Sequence, residues 1–298
     1  MTAALLTCRD ARIDADGAML LDGLSFEIDG ARIGLVGAFG ALFRLLSHRA
    51  VLSRGSIDVL GQEALSAVRT NTIGVAPFET VLPEPWTVLA YLTESARLMG
   101  LGRWSAAQCA RAALDALDLG VLGKRKIGTL GAVERRSVIV AHAALGDPTA
   151  IFVECPLAGL AEDGAAEVRS ILERAANGRR LVASVTSPAG VGAELNLLAA
   201  MDRVVVMQAG TVVALGPPAE ALTPSPRCVV RALRGARALT EALTSRGFRV
   251  EAEDDGTDSG RLVVHLGGGA TAMTIVDAAL DVDAPLLELV PVGLDPPG

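Results

Sequence analysis

The sequence predicts an α/β protein in two parts, a large domain built on a parallel sheet followed by a small α+β domain. Three observations carry this. Short apolar runs alternate with amphipathic helical stretches over the first 222 residues, the pattern of parallel strands joined by helices. Apolar residues make up 51% of the chain but aromatics only 3%, so the core is mostly Ala, Val and Leu. At 298 residues the chain exceeds one average domain and can hold a large core and an appendage.

A turn at Asp14 to Gly17 leads into LLDGLSFEIDG and then ARIGLVGAFGALFRLLSHRAVL. Arg32 to Val36 is a short apolar run ending at Gly37, and Ala41 to Leu52 carries Leu42, Leu45, Leu46 and Val51 at helical spacing. TIGVAPFET reads as a strand ending at Pro77, and Val88 to Met99 and Ser105 to Leu117 read as amphipathic helices. Val133 to Leu145 is another helix, closed by the turn residues GDP. Ala150 to Val153 and Leu181 to Val185 are buried-type strands on either side of a helix, Gly164 to Ala176. DRVVVMQAGTVVALGPP has two apolar runs joined by Gln208-Ala209-Gly210, a hairpin signal, and a short helix starts at Pro217-Pro218 and runs through Leu222.

TPSPR, residues 223–227, is the clearest linker, because its prolines stop regular structure. Beyond it the expected order over 228–298 is strand (Cys228 to Leu233), helix (Ala236 to Ser245), strand (Phe248 to Ala252), an acidic turn, strand (Arg261 to Leu266), helix (Ala270 to Leu280) and strand (Leu286 to Val290). That βαββαβ order is the ferredoxin-like arrangement.

Composition excludes several classes. No stretch reaches the roughly 18 uninterrupted apolar residues of a membrane span, and MTAALLTCRD lacks the basic region and apolar core of a signal peptide, so a cytoplasmic chain is expected. Cys8, Cys109, Cys155 and Cys228 lack metal-site spacing and read as small core residues. A net charge of -7 argues against a nucleic-acid partner, which calls for clustered Lys and Arg. The acidic run Glu251 to Asp258 lacks calcium-loop spacing and reads as a solvated loop.

The landmarks over residues 1–222 follow one another as in ATP-binding-cassette (ABC) transporter ATPase subunits. They are DGLSFEIDG before GLVGAFG, then IGVAPFETVLPEPWTVLAYL, then LGAVERRSVIVAHAALGDPTAIFVECPLAGL, then SVTS, then MDRVVVMQAGTVVALG. The chain is similar to the exporter branch of that family, in which a C-terminal accessory domain is known. The resemblance implies an ABC ATPase-like, P-loop NTPase-like domain over 1–222, with a helical subdomain at about 84–145.

At the working positions the residues depart from the family pattern. A phosphate loop reads GxxxxGK[ST], with backbone amides wrapping phosphate, Lys neutralising it and the hydroxyl holding Mg²⁺. The aligned octet here runs from Gly37 through Gly40 and Ala41 to Leu42, Phe43 and Arg44, so Leu42 replaces Gly, Phe43 replaces Lys and Arg44 replaces the hydroxyl. Phe39, Leu42 and Phe43 are expected to fill the phosphate space, while Arg44 is the one group there that could meet an anion. In IFVECP, Glu154 stands at the Mg²⁺-binding Asp and Cys155 at the general base, and a thiol in an apolar setting is a poor base for water. Phe78 stands at the metal- and water-sensing Gln, Ser187 at the switch His and Ala161 at the Asp of the following loop. No aromatic near Ile13 is placed to stack adenine, and His48 and His142, read as helical, and His265 offer no substitute switch. The signature position, LSGGQ in the family, holds Leu130, Gly131, Ala132, Val133 and Glu134, so the Ser is gone and both glycines that would face a partner's nucleotide carry side chains. Arg135 and Arg136 after it are either solvated or salt-bridged, or a partner contact.

With these substitutions the resemblance implies a chain that is not an enzyme. The expectation is a catalytically inactive scaffold or regulatory subunit of an ABC-type transporter or motility complex, with no cofactor and no metal. Its expected partners are membrane permease subunits and a second copy of itself or an ABC ATPase paralogue, at the inner face of the cell membrane. The alternative is a residual ATP-binding or ATPase subunit of an exporter paired with an active paralogue. By the resemblance, Phe78, Leu82, Trp86, Tyr91 and Leu92 mark the face that receives the permease, although Trp86 and Tyr91 read equally as core. The small domain could dimerise, regulate or recognise a partner.

Overall fold

The computed structural model describes residues 3–186, 192–208, 210–222, 227–253, 260–266 and 272–292. The chain divides into two compact units, Met1–Leu222 and Thr223–Gly298.

The first unit opens with a β-hairpin, β1 (Leu6–Ala15) and β2 (Ala18–Ile28). Asp16 and Gly17 both take positive φ at its turn, the two-residue geometry that matches strand twist. After β3 (Arg32–Val36) and α1 (Gly40–Leu46) come β4 (Val51–Val59), β5 (Gln62–Glu63), α2 (Ala64–Arg69) and β6 (Ile73–Ala76). Then follow three helices, α3 (Val88–Leu98), α4 (Arg103–Ala116) and α5 (Ala132–Ala143). The unit ends with β7 (Ala150–Val153), α6 (Glu162–Ala175), β8 (Arg180–Val185), α7 (Ala193–Ala199), β9 (Arg203–Gln208), β10 (Thr211–Gly216) and α8 (Pro218–Ala221).

Two sheets result, an antiparallel one of order β2-β1-β4-β5 and a six-stranded one of order β10-β9-β3-β8-β7-β6. In the larger sheet β3 pairs in parallel with β8 and β9, and only β10 runs antiparallel, at the edge. Its strands alternate between two cores, as the period of two demands. Ile33, Leu35, Phe152, Val182 and Val205 face the antiparallel sheet's Leu6, Ile13 and Leu24, with α1 packed among them. Val36, Ile151, Val153, Ala183 and Val185 face the other way, onto Val138 and Val140 of α5 and Val168 and Ile171 of α6. Each such fully buried side chain contributes about 1.5–3 kcal/mol.

Two sequence expectations change here. The antiparallel sheet was not foreseen, because β1 is irregular: its register shifts between Cys8 and Ala11, which breaks the alternation of its buried residues. The helix expected over 41–52 stops at Leu46. Ser47 Oγ donates to Phe43 O at 2.7 Å, His48 turns the chain with φ +57°, and Val51 pairs with Asp14 as the start of β4. His48 is therefore not helical.

The second unit contains β11 (Arg227–Ala232), α9 (Ala236–Ser245), β12 (Arg249–Glu253), β13 (Gly260–His265), α10 (Ala272–Asp281) and β14 (Leu286–Val292). Its sheet has the order β12-β13-β11-β14 and every pairing is antiparallel, the split-βαβ topology. Its own core joins Cys228, Val230, Leu239, Leu243, Val264 and Ile275. Residues 223–226 of the expected linker and most of the acidic turn lie outside the described residues.

Candidate functional site

The parallel strands β3, β7 and β8 end together, and the loops leaving them build the site. Gly37 leaves β3 at φ +111°. Its N–H donates to Val185 O at 2.9 Å, and a Cβ there would lie 2.2 Å from Met207 O, so the loop is pinned to the ends of β8 and β9. Phe39 N–H turns back to Gly37 O at 2.8 Å and Leu42 N–H to Phe39 O at 2.9 Å. Phe39, Leu42 and Phe43 have no accessible surface, and Phe39 meets Phe26 of β2 edge-on at 6.2 Å. The turn that begins α1 is thus anchored by three apolar side chains in the core between the sheets. Arg44 is half-exposed and shares Glu79 with Arg49, at 3.9 and 3.8 Å.

Across from this loop stands Glu154, just past β7. Phe78 N–H donates to Glu154 Oε2 at 2.8 Å, and a Cβ on Gly40 would lie 3.2 Å from Oε1. Burial pushes the Glu154 carboxyl above its ordinary range, opposed by the Phe78 amide and by Arg49 and Arg44, while Glu79 adds to the rise. Cys155 is buried at φ +43°, its N–H donating to Ser184 O at 3.1 Å and Ser184 Oγ at 3.2 Å. Burial is the main cause raising its thiol pKa, so the group stays protonated and takes up no proton from water.

On the next layer, Arg136 of α5 lies over the Phe78 ring, 4.5 Å from its centroid, a cation–π contact. Its Nη1 is buried with no hydrogen-bond partner among the described residues. Burial lowers the guanidinium pKa, with Cys155 and Glu154 partly compensating. Arg135 instead donates from Nε to Leu130 O at 3.2 Å and reaches Glu84 at 3.4 Å. Arg135 is thus salt-bridged, as the sequence suggests, whereas Arg136 is half-buried against Phe78 with its Nη1 unpaired among the described residues.

The segment before α5 serves its helix. Gly131 N–H donates to Glu134 Oε2 at 3.0 Å, which caps the first turn, and Glu134 also pairs with Arg125. Leu130 is buried, Ala132 is exposed, and Val133 lies against Gly164 of α6, where a Cβ would come within 2.7 Å of Val133 Cγ2. Ala161 is the N-cap residue of α6. Ser187 lies outside the described residues.

Of the proposed docking residues, Phe78 and Trp86 are 41% and 44% exposed. Leu82 and Leu92 are buried, and Tyr91 is half-buried, stacked on His142 at 5.5 Å. Leu82, ahead of α3, and Tyr91 and Leu92 on it pack into the core and leave the surface to Phe78, Trp86 and the almost fully exposed Val81. Val81 carried no sequence signal, since nothing local shows that the Pro77–Pro85 segment holds it outward. The cluster of Arg44, Arg49 and Glu79 was equally hidden, being assembled only by the fold. Among the described residues, no group of three His, Cys, Asp or Glu could hold a metal ion, and no helix is long and apolar enough to cross a membrane.

No family model matches the chain. It is similar to the phosphonates import ATP-binding protein PhnC of Anaeromyxobacter dehalogenans, 32% identical over 241 residues, which cover 73% of this chain and 46% of that protein. The chain therefore spans less than half the length of that relative. It is also 28% identical to the lipoprotein-releasing system ATP-binding protein LolD of Pseudomonas fluorescens, over 71% of this chain and 98% of that one. Among solved structures, the ADP conformation of MJ1267, an ATP-binding cassette of an ABC transporter, superimposes with a TM-score of 0.59 at 20% identity over 72% of this chain and 92% of that one, which shows a shared fold. These relatives correct one expectation. They are ABC ATP-binding proteins, normally ATPases, so the kinship points to an enzyme rather than away from one.

Proposed function

We propose, from its kinship with the ATP-binding subunits of ABC transporters, that this chain is the cassette subunit of a membrane-associated transporter or motility complex, where it serves assembly and regulation. Its partners on this reading are a membrane permease subunit and a second cassette, either another copy or a paralogue, at the inner face of the membrane. The observation that carries the reading is the loop after β3, where Phe39, Leu42 and Phe43 sit without accessible surface at positions where a phosphate loop keeps its glycine, lysine and free amides. Those side chains hold α1 between the two sheets, a structural use of the segment.

Other observations support the same reading. Glu134 is committed to its helix cap and Val133 to α6, so the signature position contributes to packing. Phe78, Val81 and Trp86, in the segment between β6 and α3, are exposed apolar residues suited to a permease's cytoplasmic segment. A second reading, an exporter subunit that binds and turns over ATP beside an active paralogue, is favoured by the relatives themselves and by the charged groups around Glu154.

One pair of measurements separates the two. Titration calorimetry of the full chain with Mg²⁺ and ATP should show no saturable site in the micromolar range if the loop is used structurally. Micromolar binding, or turnover that Glu154→Gln abolishes, would overturn that reading in favour of the second. For docking, a Phe78→Asp, Trp86→Asp chain should no longer co-purify from detergent extracts with the permease that accompanies the unaltered chain.

A further inference from the structure

The corner where α3 gives way to α4 places Leu98, Met99, Leu101 and Trp104 within one tight bend. Leu98 is 90% and Trp104 85% exposed. A single exposed leucine means little, but a tryptophan and a leucine held almost wholly in water on one bend form a directed feature. The bend is ordered by its backbone. Gly100 turns at φ +92°, its N–H donates to Arg97 O at 2.9 Å, and Leu101 N–H donates to Ala96 O at 3.2 Å. Met99 leans back, its methyl 3.2 Å from where a Cβ on Gly146 would lie, while Leu98 and Trp104 do not.

Charge singles out the same place. From Ser95 through the first three turns of α4 the sequence has Arg97, Arg103 and Arg111, and the acids lie at the far ends, Glu94 before it and Asp115 at the end of α4. Arg97 is paired with Glu94 at 2.9 Å. Arg103 and Arg111 are exposed, and Arg111 follows Trp104 by two helical turns on the same face of α4. The corner joins exposed apolar tips to the two exposed arginines of α4. It has the composition of an interfacial anchor, in which tryptophan settles at headgroup level and basic residues meet lipid phosphate.

We propose that the α3–α4 corner inserts into the headgroup layer of a membrane carrying anionic lipids. Trp104 and Leu98 enter the interface, and Arg103 and Arg111 face the phosphates. The attraction is short-ranged and screened by salt. The inference stands on this corner alone and does not depend on the permease reading.

The chain has two tryptophans, so Trp86→Phe leaves Trp104 as the single reporter in the full-length protein. With vesicles of equal parts phosphatidylcholine and phosphatidylglycerol, its emission should shift to the blue and be quenched by acyl-chain-brominated lipid. Vesicles of phosphatidylcholine alone should give a weaker effect, and added salt should reduce the first. In co-sedimentation, a Leu98→Ser, Trp104→Ser chain with unchanged thermal midpoint should partition about tenfold less. Unshifted Trp104 emission with the anionic vesicles overturns the proposal, as does a double variant that sediments like the unaltered chain. A blue shift produced only by a membrane protein in detergent overturns it too, since the corner would then serve a protein partner.

Discussion

The two sides of the strand-end site have settled their unusual residues in different ways. On the α1 side, Phe39, Leu42 and Phe43 are absorbed into the core between the sheets, and the loop amides of Phe39 and Leu42 are bonded within the turn. On the β6–α5 side, Glu154, Phe78 and Arg136 remain half-open, with a carboxyl pushed up by burial and a guanidinium nitrogen that finds no partner among the described residues. The first side is governed by packing, where the energy lies in close fit. The second is governed by electrostatics, where partial solvent access keeps each effect small. Substitutions should therefore cost much on the first side and little on the second.

The largest expected effect is Phe43→Lys, which places the family's loop lysine into a site with no accessible surface. The lost aromatic packing and the buried ammonium together should cost about 4 kcal/mol or more, read from the urea midpoint of the full chain. If the cost is below about 1 kcal/mol, the loop opens readily and the contrast between the two sides fails. Gly37→Ala comes next. Its φ of +111° and the 2.2 Å approach to Met207 O leave no room for a methyl group, so a loss of about 3 kcal/mol is expected by the same measurement.

Much of this frame can be read in the sequence, for a physical reason that also marks its limit. Apolar runs such as Ala150–Val153 and Leu181–Val185 are buried on both faces, so composition alone reveals them. The hairpin at 203–216 shows in its paired runs, and the small domain shows in its order of elements. β1 and β2 escaped because bulges break their alternation, and α1 looked too long because Val51 fits the helical spacing although it pairs with Asp14. At the site, the residue types at the loop, strand-end and signature positions were legible. Their surroundings were not: the Phe78 amide on Glu154, the Arg136 ring contact and the shared Glu79 join segments far apart in the chain. Leu82 and Leu92 stand on the docking face by resemblance alone and are buried, a difference that no local pattern reveals because a lone apolar residue carries no sign of which way it faces.

A smaller effect separates the sides by pH. Burial raises the Glu154 pKa, so the folded state holds this proton more tightly than the unfolded chain does. Stability from this group is full below the ordinary carboxylate range and falls as pH rises through the raised value. Glu154→Gln can still accept from Phe78 N–H and should flatten that slope. His142, stacked on Tyr91, has the opposite sign. Burial lowers its pKa, so its contribution is present above the usual imidazole range and is lost as pH falls toward the lowered value. His142→Phe, which keeps the ring stack, should flatten the acid limb alone. Thermal midpoints across pH test both, and a Glu154→Gln profile that overlays the unaltered one would show that Glu154 is effectively solvated.

The smallest effect sharpens the contrast most. Arg136→Met keeps an unbranched side chain against Phe78 and removes the guanidinium whose Nη1 lacks a partner. The change gives up a cation–π contact of about 0.5–1 kcal/mol and also ends the cost of burying an unbonded donor, about 1–3 kcal/mol. The net should lie between no change and a gain of about 2.5 kcal/mol in the isolated chain. On the α1 side Phe39, Leu42 and Phe43 offer no such gain, since each is apolar and fully packed. A loss of more than about 1 kcal/mol on Arg136→Met would mean that Nη1 is bonded in solution, by water or by a rearranged Glu154. The half-open side would then be as fully satisfied as the packed one.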